Sequence, residues 1–123
     1  MSLYAEIAGT DPELAPYARG GTPDPRFGAE LGQRLFVMEA VYEGYLLHYG
    51  SPRLFEGMDE DLRLLAGDAL YALGLARLAQ RGDLPAVAEL AELISSSAQA
   101  HAEGRGADAE ALWDASASVL AST

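Results

Sequence analysis

Glu39 and Glu43 are the first residues whose types and spacing could do chemistry together. At i and i+4 both carboxylates lie on one side of a helix, where such a pair can hold a divalent ion or divide general acid and base roles. The ordinary alternative is two solvated or singly paired glutamates, and the residue pattern favours it. His48 follows Glu43 by five residues and points elsewhere, so no Glu-x-x-His metal motif is formed.

Asp68 lies within Leu64-Leu65-Ala66-Gly67-Asp68-Ala69-Leu70-Tyr71. A carboxylate among so many apolar residues reads as buried, and a buried carboxylate needs a partner. An arginine or tyrosine from another helix is the expected partner, with a ligand or metal role as the alternative. His101, seven residues after Ile94 on one apolar stripe, reads as a hydrogen-bonded core histidine. His48 sits where a helix should end, near the terminal carbonyls. Two histidines and no cysteine leave little for a transition-metal site. Ser95-Ser96-Ser97 falls mid-helix, with neither a strained elbow nor an adjacent base. The glycine-rich pieces lack the phosphate-loop spacing and its lysine.

These residues must be positioned by helices. The 123 residues fit one domain, half of them are hydrophobic, and no stretch alternates with period two. The fold class is therefore all-α, an antiparallel bundle of about four main helices. Four of the six prolines fall before residue 26, so residues 1–25 read as an irregular arm, with at most a short helical turn at residues 3–8, and 26–123 as the bundle. The first long helix is expected from about Phe27 to Tyr49, stopped by Gly50-Ser51-Pro52. It is apolar all round, which in a small domain hints at a subunit interface. The next runs from an Asp59 cap to Gly82 and again carries more apolar surface than one stripe needs. Gly67 and Gly74 share a face on it and would admit a neighbouring helix closely. Asp83-Leu84-Pro85 opens a third helix, and a fourth covers about Asp108 to Ala121.

The formal net charge of -11, with every basic residue an arginine and none clustered, excludes a nucleic-acid binder and disfavours an anionic membrane surface. Leu64 to Ala76, the most apolar stretch, is too short for a membrane span. No basic leader is visible at the start and cysteine is absent, so the expectation is a cytoplasmic protein. Missing lysine and asparagine suit a bacterial genome rich in G and C.

Leu65-Ala66-Gly67-Asp68-Ala69-Leu70-Tyr71-Ala72-Leu73 resembles the LAGDxLxA helix of the trans-polyprenyl diphosphate synthases. Leu46-Leu47-His48 resembles the end of the family helix that carries its first Asp-rich motif, and Gln99 stands at the family's Gly-Gln pair, with Ala98 in place of the glycine. The resemblance spans roughly residues 36 to 104 and implies an isoprenoid-synthase-like bundle. The family's DDxxD motifs, which hold magnesium-bound diphosphate, are missing: Tyr49-Gly50-Ser51-Pro52 stands where the first would follow, and the chain is too short to hold the second. Arg77 to Val87 is similar, more weakly, to a tetratricopeptide helix turn, without any repeat at a fixed period.

Together these features lead to the expectation of a non-catalytic interaction protein. It would be a degenerate relative or small accessory subunit of a polyprenyl diphosphate synthase, working as a homodimer or beside a larger synthase-like chain, without a cofactor. The rival is a magnesium-dependent enzyme or binding protein for a prenyl diphosphate or other apolar ligand, with Glu39, Glu43 and Asp68 lining a helical cavity and Gln99 beside it. A third reading is a plain helical adaptor.

Overall fold

A computed structural model describes residues 2–123, which form five α-helices: α1 Leu3–Gly9, α2 Arg34–Tyr49, α3 Glu60–Gln80, α4 Leu84–Ala102 and α5 Ala109–Ser122. The protein is all-α, four long helices preceded by a short one. Among the described residues, extended pairing is limited to one bridge between Ala18 and Phe55. No helix among the described residues is long and apolar enough to cross a membrane.

Local chemistry sets the ends of these elements. The Ser2 hydroxyl accepts from the Ala5 amide at 3.0 Å, and Asp59 caps α3 by accepting from Leu62 at 2.8 Å. At its other end α2 is capped by Arg63, whose guanidinium donates to the Leu46, Leu47 and Gly50 carbonyls. The expected start of α2 near Phe27 is too early. Residues 29–31 form a single 3-10 turn, and Gly32 then takes φ +57°, a left-handed step that a regular helix does not tolerate. The arm is built of α1 and a 3-10 turn at Ala15–Tyr17, and it packs on the bundle through Tyr4, Ile7, Ala8 and Leu14.

Helices α2 and α3 make the closest contact. A side chain at Gly74 would run into Val41, one at Gly67 into the His48 ring, and one at Gly44 would lie 2.8 Å from the Gly67 carbonyl oxygen. Close approach is thus secured by glycines on both helices, at a cost of roughly 1 kcal/mol of helix propensity each. The α4–α5 pair faces this unit across a layer of rings. Trp113 touches Phe27, Tyr42 and Tyr45, with centroids 5.2 to 6.3 Å apart. Each such buried large side chain contributes roughly 1.5–3 kcal/mol.

Helix α2 is buried from Phe36 to Tyr45 without interruption. Its apolar girth is used up inside the chain, covered by α1, α3, the aromatic layer and the loops. The surplus on α2 therefore does not point to a subunit interface. On α3 a surplus does remain, because Leu64 is 46% exposed and Leu65 67%.

Candidate functional site

Glu39 and Glu43 lie on the face of α2 that two loops cross. Both are fully buried; of the expected solvated or singly paired glutamates, the structure shows the paired form, with one arginine, Arg53, shared between them. Glu39 accepts the Arg26 and Phe27 amides at 2.9 and 3.0 Å and the Arg53 guanidinium at 2.7 Å. Glu43 accepts the Arg53 and Leu54 amides, each at 2.9 Å, and the Arg53 Nε–H at 3.1 Å. Arg53 also donates to the Glu39 carbonyl and lies over the ring of Tyr42, 5.1 Å from its centroid, with the Tyr4 ring 5.9 Å away.

The physical logic is a latch. A buried carboxylate is tolerable only when charge-assisted bonds replace its hydration. Here four loop amides and one bidentate arginine do so, and in return each glutamate fastens one loop to α2. Burial still pushes the Glu43 carboxyl above the usual glutamate range, against the pull of the Leu54 amide and Arg53. Burial, with the negative Glu39 beside it, also raises the Tyr4 hydroxyl to about 12.

A magnesium ion does not fit this pair. The oxygens that would ligate it already accept N–H donors, and the Arg53 guanidinium occupies the space between them. Among the described residues, no group of three His, Cys, Asp or Glu is placed to hold a metal.

Asp68 is a correction. Its side chain is 71% exposed, and its partner is His48, at 3.2 Å, not an arginine or tyrosine. The buried face of α3 runs through Ala66, Gly67, Leu70, Gly74 and Leu78, and Asp68 falls outside it. The leucines that suggested burial, Leu64 and Leu65, are themselves exposed. His48 lies in the last turn of α2, its Nε2 also 3.1 Å from the Leu64 carbonyl. Gln99 is exposed on α4 and bonds to Glu103 at 3.2 Å. Glu39 and Glu43 are therefore together, Asp68 and Gln99 are each elsewhere, and the four do not line one cavity.

His101 is hydrogen-bonded as expected but only partly buried, at the edge of the core: its Nε2 lies 2.7 Å from the Tyr45 hydroxyl, and its ring stacks on Tyr49 at 4.1 Å. Burial, then the charge of Glu110, pushes the Tyr45 hydroxyl up to about 12, so it serves as a hydrogen-bonding group at neutral pH.

No family model matches the chain, and no curated protein or solved structure matches it either.

Arg53 is the residue of this latch that the sequence hides. It follows the Gly50-Ser51-Pro52 turn, so the chain returns along α2, but nothing in its neighbours marks it as the partner of Glu39 and Glu43. The remaining arginines are also engaged within the chain. Arg19, Arg26, Arg34, Arg77 and Arg105 pair with carboxylates. Arg63 and Arg81 donate to main-chain carbonyls.

Proposed function

We propose that this chain is a non-catalytic helical interaction protein of the cytoplasm. The observation that carries this reading is the state of Glu39 and Glu43. The carboxylate pair best spaced for chemistry is fully buried and bonded on every side to Arg53 and loop amides, so it is occupied in holding the fold. The exposed Leu64 and Leu65 support an interaction role, since apolar side chains adjacent on one helix surface are candidates for a partner.

The narrower reading makes it a small accessory subunit, or degenerate relative, of a polyprenyl diphosphate synthase. The resemblance of Leu65–Leu73 to the synthase helix is what supports it. An affinity-tagged chain expressed in its native host should then retain a larger synthase-like chain in comparable amount. The purified chain alone, given magnesium and a prenyl diphosphate, should turn over nothing. Turnover by the chain alone that is lost in Glu39→Gln would overturn the proposal.

A further inference from the structure

Leu64 and Leu65 stand at the start of α3, among the acidic side chains Glu60, Asp61 and Asp68, all exposed. Beside them a surface groove of about 480 Å³ runs between the end of α2 and α3, lined by His48, Tyr49, Met58, Glu60, Arg63 and Leu64. Tyr49 is 40% exposed there. The only arginine of the groove, Arg63, is turned to the α2 carbonyls. An apolar ridge with a groove at its foot is therefore framed by carboxylates, and among the described residues only His48 partners one of them.

We propose that this ridge docks a basic amphipathic helix of a partner protein, with the apolar face of that helix on Leu64 and Leu65 and its lysines or arginines against Glu60, Asp61 and Asp68. This deepens the interaction role proposed above and rests on it. Charge selects the occupant. With a net charge of -11, and with Arg19, Arg26, Arg34, Arg53, Arg77 and Arg105 paired to carboxylates, the chain offers little positive charge to an acidic partner. A second copy meeting this ridge would set the same three carboxylates against themselves. A basic helix satisfies both the leucines and the carboxylates, in the mode of an amphipathic helix in a groove.

The test uses the full chain and two synthetic helices, one of leucine and lysine, the other of leucine and glutamate, followed by fluorescence anisotropy. The lysine helix should bind and the glutamate helix should not, with affinity falling as salt rises. Leu64→Ser/Leu65→Ser, which changes no charge at exposed positions, should weaken binding by about tenfold or more. Asp61→Asn/Asp68→Asn should weaken it too, whereas Asp24→Asn/Glu30→Gln, removing the same charge elsewhere on the surface, should not. Binding that ignores the leucines, or follows net charge wherever it is altered, overturns the proposal. So does a wild-type dimer by light scattering that Leu65→Ser splits, since the occupant would then be a second copy. A larger chain still retained from the host by the leucine variant would remove this surface and leave the interaction role standing. Peptide binding as expected, with no larger chain retained, would do the reverse.

Discussion

Arg53 reaches the fully buried carboxylate of Glu39 at 2.7 Å, joining the loop after α2 to the middle of that helix. The same guanidinium also holds Glu43, one turn further on, at 3.1 Å. One cation thus serves two buried anions, and the loop amides supply the rest of their solvation. Removing the cation is therefore far more damaging than removing a surface charge.

Arg53→Ala should cost about 3–5 kcal/mol, because it leaves two buried carboxylates with only amide donors. Urea denaturation checks this. A loss below about 1 kcal/mol, the range of an exposed pair, would show that the guanidinium is not needed to hold the glutamates.

The pH dependence of the latch has a definite sign. Burial raises the folded-state pKa of Glu43 above its ordinary 4.5, so the folded chain holds that proton more tightly than the unfolded chain does. Its contribution is fully present below the unfolded value and is lost as pH rises through the folded one. The stability advantage of wild type over Glu43→Gln should therefore shrink from pH 4 upward. Asp83 runs the other way: Arg34, bonded to it at 2.8 Å, lowers its pKa, so its contribution is present above 3.8 and lost as pH falls through the folded value. The advantage over Asp83→Asn should shrink on acidification. Denaturation curves across this range that reverse either trend contradict these assignments.

Asp68→Ala should change stability by no more than about 0.5 kcal/mol, as expected for an exposed carboxylate whose one pairing is to a partly buried histidine. A buried, paired Asp68 would have cost several times more. Thermal melts of the single variant separate the two, and a loss above about 2 kcal/mol would contradict the exposed placement.

Ser97 is buried at 1% exposure, and its hydroxyl has no hydrogen-bond partner among the described residues. Ser97→Ala should therefore be neutral or stabilising by up to about 1 kcal/mol, since it removes a desolvated polar group. Destabilisation of similar size would mean that the hydroxyl is satisfied.

Helices α3, α4 and α5 were legible because their caps and glycine stops are local signals. Asp59, Asp83 and Gly82 mark ends that the structure reproduces within a residue or two. The glycine face of α3 was equally legible, as Gly67 and Gly74 show. The start of α2 was not, since Leu31 keeps helical spacing to Leu35 while Gly32 steps out of the helix. Glu39 and Glu43 could be placed on one helix face, but their burial depends on Arg53 and on amides from two loops, and no pattern local to α2 reports on those. The sequence neighbours of Asp68 are apolar, but its helical phase puts it outside the buried face of α3.

Glu39 and Glu43 form a structural latch around Arg53, which fills the space a magnesium ion would need. The most direct measurement is the thermal midpoint of the wild-type chain with and without magnesium plus a prenyl diphosphate. A latch already filled by Arg53 offers no place for the ion, so the midpoint should stay unchanged, because a ligand stabilises only what it binds. A rise in the midpoint that disappears in Glu39→Gln and Glu43→Gln would contradict the account.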